Sequence, residues 1–153
     1  MEQQNFFFDT YEKNLKRHLD INTIGTISMV RTFSRNLIRN KNSSIINICS
    51  LSGNSGTVSL TNYSTSKGAI KSFTFSAARE LGPLGVRVNS ISPGLIKTQL
   101  HKKTNLNKFK NKISLNRLGE PEDVANLVLF LSSDLSTYIN GEDIKIDGQI
   151  RLF

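Results

Sequence analysis

Apolar residues along this chain recur at intervals of three or four positions in four segments, which is the spacing of an amphipathic helix. The second and third segments run from about residue 22 to 39 and from about 61 to 81, and Gly82-Pro83 ends the third. The fourth begins at residues 120–123, where proline and acidic side chains suit a helix start. The first segment follows a possible cap at Asp9 and Thr10. The apolar positions are Leu15 and Leu19 in the first segment, Ile27, Val30, Phe33, Leu37 and Ile38 in the second, Ile70, Phe73, Ala77 and Leu81 in the third, and Ala125, Leu127, Val128, Phe130 and Leu131 in the fourth.

Short apolar runs lie between these helical segments and predict strands. They cover residues 45–49, 86–91 and 144–146, and a turn at Asn140-Gly141 precedes the last. The first run leads into a loop, residues 50–61, that is rich in serine, glycine and asparagine. Strands that alternate with helices indicate an α/β fold with a parallel sheet. The length predicts a single domain over residues 1–153.

Candidate chemistry lies at the start of the third helical segment. Tyr63 and Lys67 stand four residues apart, so their side chains lie on the same helix face. An ammonium beside a phenol favours the phenolate, and we expect it to lower the pKa of Tyr63 below the usual value of about 10. Such a phenol suits proton transfer near neutral pH. Ser50, where the first apolar run ends, is placed to hydrogen-bond a carbonyl oxygen, so the set points to carbonyl reduction.

Each of these residues also has an ordinary structural interpretation. A single tyrosine and lysine pair is commonly a solvated helix face, and an asparagine such as Asn22 near a helix break often bonds local backbone. Gly53 and Gly56 follow a strand, as in some phosphate-binding loops, but GNSG is not a GxGxxG fingerprint. We interpret that loop as a wall of a substrate site.

An ordered set of motifs indicates that the Tyr63 and Lys67 pair is not a chance occurrence. Asn22, Ser50, Tyr63 and Lys67 are followed by NSISPG at residues 89–94. With DINTIGT, NYSTSKGAIKSF, RVNSISPGLIKT and RLGEPEDVANLVLFLSSDLSTYINGEDIKIDG, the set resembles the short-chain dehydrogenase/reductase family, in particular its 3-oxoacyl-acyl carrier protein reductases and mitochondrial carbonyl reductases. The resemblance implies a catalytic tetrad. In it Tyr63 donates the proton, Ser50 stabilises the carbonyl oxygen, Lys67 acts on Tyr63 and the nicotinamide ribose, and the Asn22 backbone carbonyl holds a water of a proton relay.

The resemblance also implies a nicotinamide cofactor, NADP with NAD not excluded. Backbone groups near Ile96 and the Thr98 hydroxyl would meet the nicotinamide carboxamide. Ligands of parallel sheets bind beyond the carboxyl ends of the strands, so Ser50 and the loop at residues 93–98 are expected to face one crevice. Residues 97–116 are expected to form a mobile substrate lid. The implied cofactor-binding residues are Tyr63, Lys67, Pro93, Gly94, Ile96 and Thr98.

The glycine-rich turns that hold a cofactor pyrophosphate have the pattern GxGxxG or GxxxGxG, and neither pattern occurs in this sequence. By resemblance, Met1 corresponds to a point just after the fourth strand of a seven-stranded sheet. We therefore expect the C-terminal part of a Rossmann-like doubly wound parallel sheet, about three strands with flanking helices, and an incomplete copy rather than a decayed one. Its first strand would expose an unpaired, apolar edge. Gln149 stands where the family has a second glycine after Gly148, so the local packing is expected to differ.

Charge and composition narrow the function further. The net charge of +8 is spread, and its densest run, residues 97–112, holds Phe109 as its sole aromatic residue, so nucleic-acid binding is not expected. Attraction of an acidic carrier protein or a phosphate-bearing thioester is the more specific hypothesis. The single Cys49 predicts a buried residue in a reducing compartment, and His18 and His101 lack the partners of a metal site.

No apolar run is long enough to cross a bilayer, and the first eight residues look like neither a presequence nor a signal peptide. The cytoplasm or the mitochondrial matrix is therefore expected. The predicted function is NAD(P)H-dependent reduction of a ketone, by resemblance a 3-oxoacyl thioester of fatty acid synthesis, possibly on acyl carrier protein, in a homo-oligomer that the resemblance makes a tetramer. The alternative is a non-catalytic fragment that pairs with a full-length reductase through the helices at residues 22–39 and 61–81.

Overall fold

The computed structural model describes residues 12–40, 42–99 and 106–151. Helices and strands alternate along them as the hydrophobic pattern predicts. The caps expected at Asp9 and Thr10 lie outside the described residues. The elements in order are α1 (Glu12–His18), a π-helical turn (Leu19–Ile24), α2 (Gly25–Arg39), β1 (Ser43–Ile48), α3 (Leu51–Ser55), α4 (Thr61–Leu81), a 3-10 turn (Gly82–Leu84), β2 (Val86–Pro93), a 3-10 segment (Leu106–Lys112), α5 (Pro121–Ser132), a 3-10 turn (Asp134–Ser136) and β3 (Asp143–Ile146).

The three strands form one parallel sheet in the order β1-β2-β3. β1 pairs with β2 from Ser43↔Val86 to Ile48↔Ile91, and β2 pairs with β3 from Ser90↔Asp143 to Pro93↔Ile146. The predicted α/β fold with three parallel strands and flanking helices is confirmed. The strand ends differ slightly from the predicted runs, because pairing with β2 includes the polar Ser43 and Ser44 that the apolar pattern left out.

β2 is the central strand, and its side chains are covered on both faces. Val88, Asn89, Ser90 and Ile91 are fully buried. Asn89 is polar, and its amide donates to the Ile139 carbonyl at 2.9 Å. A central strand between two others has helices or loops over both faces, so polar residues there need buried partners.

Two apolar clusters hold the layers together. One packs α4 on the sheet, and the other seats the 106–118 segment beside α3. The first consists of Ala77, Ala78, Val86 and Val88 with Leu37, Ile38, Ile45, Phe73 and Leu81, and the second of Leu51, Leu106, Ile113, Leu118 and Ile150 with Leu95 and Phe109. Within the described ranges, each helix lacks either the length or the apolar character of a bilayer-spanning segment.

One local feature departs from the expectations, and a second has an unusual backbone conformation. The serine-rich stretch after β1 was predicted as a loop, but Leu51–Ser55 forms the short helix α3. A helix of this length is too short to show a periodicity. Gln149 has a φ of 58°, the left-handed region that favours glycine. The turn is nevertheless kept, because the Gln149 amide donates to the Asp147 carboxylate at 2.9 Å.

Candidate active site

Ser50 lies at the carboxyl end of β1 and caps the amino end of α3. Its hydroxyl oxygen accepts a hydrogen bond from the Ser52 amide at 3.2 Å. A serine hydroxyl has one proton to donate, and this bond leaves that proton free for another acceptor. The cap therefore fixes the Ser50 oxygen while keeping its donor capacity.

Gly53 brings α3 against the helix that carries Tyr63 and Lys67. A Cβ atom at Gly53 would lie 2.8 Å from both the Gly68 nitrogen and the Lys67 carbonyl carbon. Only a residue without a side chain permits this backbone contact. Ser50, three residues before Gly53, is thereby held beside the first turns of α4.

Lys67 projects from α4 towards the end of β1. Its ammonium donates to the Ile48 carbonyl at 2.9 Å. Burial lowers the pKa of Lys67 below its usual value, since desolvation disfavours the charged form. One hydrogen bond leaves two of the three ammonium protons available for other acceptors.

Tyr63 precedes Lys67 by one helical turn within α4, so the predicted placement on one helix face is confirmed. Its ring is half-buried and lies edge-on to His18, with centroids 6.2 Å apart. The Tyr63 carbonyl accepts a hydrogen bond from the Ser66 hydroxyl at 2.8 Å. The backbone of this turn is therefore tied to a fully buried side chain.

Asn22 lies in the π-helical turn between α1 and α2 and is joined to this segment. Its amide donates to the Ser66 hydroxyl at 3.0 Å, and the Thr23 hydroxyl donates to the Ser66 carbonyl at 3.0 Å. The Asn22 carbonyl accepts from Thr26 at 2.7 Å. A π-turn frees backbone groups from the regular helical pattern and frequently occurs at functional sites. The break that the sequence predicted at Asn22 is thus a π-turn, which connects Asn22 to Tyr63 through Ser66.

The loop after β2 leaves the sheet at the same end as Ser50. The Gly94 amide donates to the Ile146 carbonyl at 3.0 Å, and a Cβ at Gly94 would lie 2.7 Å from that of Asp147. Ile96 forms a parallel bridge with Gly119. Thr98 is exposed. Pro93 ends β2, so the loop starts at the carboxyl edge where ligands of parallel sheets bind.

Comparison with known proteins connects this geometry to a family. A family model of the short-chain dehydrogenase type, described as enoyl-(acyl carrier protein) reductase, matches residues 1–148. The chain belongs to the short-chain dehydrogenase/reductase family. It is 41% identical over 133 residues to a 3-oxoacyl-acyl-carrier-protein reductase of Aquifex aeolicus, covering 85% of this chain and 54% of that protein. It is 37% identical over 150 residues to the human (3R)-3-hydroxyacyl-CoA dehydrogenase, covering 95% of this chain and 58% of that protein.

Solved structures of the family superpose on the same half. A short-chain dehydrogenase/reductase from Mycobacterium ulcerans matches with a TM-score of 0.88 and 32% identity, covering 94% of this chain and 54% of that chain. An NADPH-bound short chain oxidoreductase of Pseudomonas aeruginosa has a TM-score of 0.87 at 27% identity, covering 97% of this chain and 62% of that one. An NAD-bound 3-oxoacyl-(acyl-carrier protein) reductase of Brucella melitensis has a TM-score of 0.87 at 28% identity, covering 95% of this chain and 55% of that one. The chain thus spans little more than half the length of these relatives.

Nothing in the sequence signals a buried carboxylate on β3. Asp143 on β3 accepts hydrogen bonds from Ser90 at 2.7 Å, Ser92 at 2.8 Å and the Asn54 amide at 2.8 Å. Burial alone would raise the pKa of Asp143, but these hydrogen bonds and the Lys71 charge outweigh it, and the pKa lies below its usual value.

Lys71 completes this cluster. Its ammonium lies 3.6 Å from the Asp143 carboxylate and donates to the Asn54 side-chain oxygen. Asn54 belongs to α3 and Lys71 to α4, so Asp143 joins both helices to the sheet. Cys49 is buried as expected, and burial raises the pKa of its thiol.

Proposed function

We propose that this chain carries the catalytic half of an NAD(P)H-dependent carbonyl reductase, with Tyr63 as the proton donor. The observation that supports the proposal is the backbone contact of Gly53, in the short helix that Ser50 caps, with Lys67 and Gly68 of α4. Family membership supports the class of reaction.

Ser50, Tyr63, Lys67 and Asn22 each have a separate role in the proposed reaction. The Ser50 hydroxyl, held by its bond from Ser52, donates to the carbonyl oxygen of the ketone. Tyr63 transfers its phenolic proton to that oxygen, and with a hydride added to the carbonyl carbon the ketone becomes a secondary alcohol. The Lys67 ammonium stabilises the phenolate left behind. Asn22 supports proton return through a water on its backbone carbonyl, as the family resemblance implies, and its side-chain bond to Ser66 holds the π-turn against α4.

The described residues fit the nicotinamide end of a dinucleotide cofactor. Lys67 keeps two free ammonium protons for ribose hydroxyls, and the loop from Pro93 and Gly94 to Ile96 and Thr98 leaves the sheet at the edge where such ligands bind. When bound, the nicotinamide supplies a hydride to the carbonyl carbon. Neighbours that hold NADPH and NAD support the cofactor class. NADP is our proposed choice.

A 3-oxoacyl thioester is the proposed substrate class. The similarity to a 3-oxoacyl-acyl-carrier-protein reductase and to a 3-hydroxyacyl-CoA dehydrogenase supports it, because both names specify oxygen chemistry at the third carbon of an acyl chain. The segment at residues 97–116 is proposed as the lid over the acyl chain. Residues 100–105 of this segment lie outside the described residues, and Leu106 belongs to the same buried apolar cluster as Leu51, the residue after Ser50.

The test uses this chain fused behind the amino-terminal portion of the Aquifex aeolicus reductase that the match does not span. Reduction of acetoacetyl-CoA by NADPH is followed through the nicotinamide absorbance. We expect Tyr63→Phe to lower kcat by at least about 100-fold, which is the usual contribution of a general acid.

Tyr138→Phe is the matched control, because that ring is fully exposed and lies outside the site. It should leave kcat unchanged. A Tyr63→Phe enzyme that retains more than about a tenth of the activity would contradict the assignment of the proton donor.

A further inference from the structure

A second lysine lies on α4 one helical turn after Lys67, and the proposed reaction does not use it. The Lys71 ammonium donates to the side-chain oxygen of Asn54 and lies 3.6 Å from the Asp143 carboxylate. The Lys71 side chain is 31% exposed, whereas that of Asp143 is 3% exposed. Lys71 therefore reaches from a partly exposed position on α4 to a buried carboxylate on β3, and Asn54 contacts both charged groups.

Both ends of the Asn54 amide are engaged in this bridge. Its nitrogen donates to Asp143 at 2.8 Å, and its oxygen accepts from Lys71. The oxygen and the nitrogen of an amide have nearly the same shape but opposite hydrogen-bonding roles. Because a carboxylate accepts and an ammonium donates, only one orientation of the Asn54 amide satisfies both neighbours. The two charged groups thus fix both the position and the orientation of this side chain.

Asn54 belongs to α3, whose place in the fold is not set by its own hydrogen bonds. Its five residues are far fewer than the about 12 that an isolated helix needs to be stable in water. The position of α3 therefore depends on its contacts with other elements. Gly53 provides one such contact, with the backbone of α4, and the Asn54 bridge provides a second, with a side chain of α4 and a side chain of β3.

Ser50 is attached to α3 and follows its position. The Ser50 hydroxyl oxygen accepts from the Ser52 amide at 3.2 Å, and the Ser50 carbonyl accepts from the Gly53 amide at 2.9 Å. Asn54 stands four residues after Ser50, which is about one helical turn. A displacement of α3 at Asn54 is therefore transmitted to the Ser50 hydroxyl.

We propose that Lys71 and Asn54 are positioning residues for Ser50: the bridge from Lys71 through Asn54 to Asp143 holds α3 where the Ser50 hydroxyl meets the carbonyl oxygen of the substrate. This inference deepens the proposed function and rests on it, because it takes Ser50 as the donor to that oxygen. Lys71 acts through α3 rather than on the reacting atoms. A displacement of about 1 Å at a catalytic group can cost about 100-fold in rate, so a small shift of α3 is measurable.

The fusion of this chain with the amino-terminal portion of the Aquifex aeolicus reductase allows a kinetic test. Lys71→Met removes the ammonium but keeps an unbranched apolar side chain, and Asn54→Ala removes the amide. Each should lower kcat at least about threefold and leave KM for acetoacetyl-CoA within about twofold, since the Ser50 hydrogen bond strengthens in the transition state. Lys13→Met is the matched control, because it removes the same charge from an exposed position on α1 and should leave kcat unchanged. An unchanged kcat in Lys71→Met would overturn the proposal.

A double-mutant cycle identifies the residue through which Lys71 acts. Ser50→Ala removes the hydroxyl that the bridge places, so the addition of Lys71→Met to this variant should change kcat by less than about 1.5-fold. A general loosening of α4 would act through Tyr63 and Lys67 instead, and the effect of Lys71→Met would then persist in the Ser50→Ala background. Such persistence would contradict the positioning of Ser50 by the bridge.

Amide hydrogen exchange measures the bridge without substrate or cofactor. The Gly53 and Gly56 amides donate to carbonyls one turn earlier, each at 2.9 Å, so their exchange reports on the opening of α3. Lys71→Met should accelerate exchange at both amides at least about threefold, whereas Lys13→Met should leave it unchanged.

The exchange and the kinetics fail in different ways. Unchanged exchange in Lys71→Met would refute the bridge even if Tyr63 is the proton donor. Faster exchange, in a fused enzyme whose Tyr63→Phe variant stays active, would support the bridge and contradict the proposed function.

Discussion

Replacement of Asp143 by asparagine is the most direct test of how the site is supported. The Asp143 side chain is only 3% exposed, and each of its oxygens accepts hydrogen bonds. One oxygen accepts from Ser90, the other accepts from the Asn54 amide, and Ser92 lies within 3.0 Å of both. An asparagine has the same shape but offers a single acceptor oxygen. Its amide would therefore oppose a donor on one side.

The expected cost follows from the donors that lose a partner. If the remaining oxygen serves Ser90 and Ser92, the new amide faces Asn54, which cannot turn its own oxygen inward because that oxygen accepts from Lys71. A hydrogen bond to a charged group contributes about 1.5–3 kcal/mol, and an unsatisfied buried donor costs about 1–3 kcal/mol. We expect Asp143→Asn to lower the free energy of unfolding by about 3 kcal/mol. Lys71 is partly exposed and 3.6 Å away, so Lys71→Met should cost no more than about 1 kcal/mol.

Urea unfolding at pH 7 measures both variants. With a urea m-value of about 1–3 kcal/mol/M, a loss of about 3 kcal/mol lowers the midpoint by about 1–3 M. Because the pKa of Asp143 is lowered in the folded state, its contribution is complete above the unfolded value of about 3.9 and is lost as the pH falls through the folded pKa. The difference between wild type and Asp143→Asn should therefore shrink in acid. Equal midpoints at pH 7, or a difference that does not depend on pH, would refute the reasoning.

Two further predictions concern other contacts in the structure. Gly53→Ala inserts a methyl group 2.8 Å from the backbone of α4 and should lower the free energy of unfolding by about 1–3 kcal/mol. Gly25→Ala is the control: its nearest neighbour would be 3.6 Å away, and it should raise the free energy of unfolding by about 0.5–1 kcal/mol. Comparable denaturation midpoints for the two variants would contradict the backbone contact. In a carboxyl NMR titration, Asp123 should have a pKa of about 2, because hydrogen bonds from Arg117 and the Glu120 amide stabilise its carboxylate. Arg117→Met should raise this pKa towards the ordinary value of about 3.9. An unchanged pKa would count against the pairing of Arg117 with Asp123.

The hydrophobic pattern was sufficient for the main elements. It located α4 at residues 61–81, including its end at Gly82-Pro83, because a long apolar face and a proline act locally. It also placed α5 and the three strands, and the motif order identified the family. The short helix α3 was missed, since five residues carry no readable period and the capping by Ser50 depends on a side-chain bond.

The sequence by itself therefore determined which elements form, their order, and which residue types stand at the ends of strands. Only the tertiary structure decided that Gly53 contacts the backbone of α4, and that Asp143, between the predicted turn at Asn140-Gly141 and the predicted strand, becomes a buried acceptor. Asp143 meets Ser90 and Ser92 because β3 pairs in parallel with β2, and Asn54 because α3 folds back over the sheet. Contacts between residues far apart in the chain depend on strand register and helix packing, which no local period encodes.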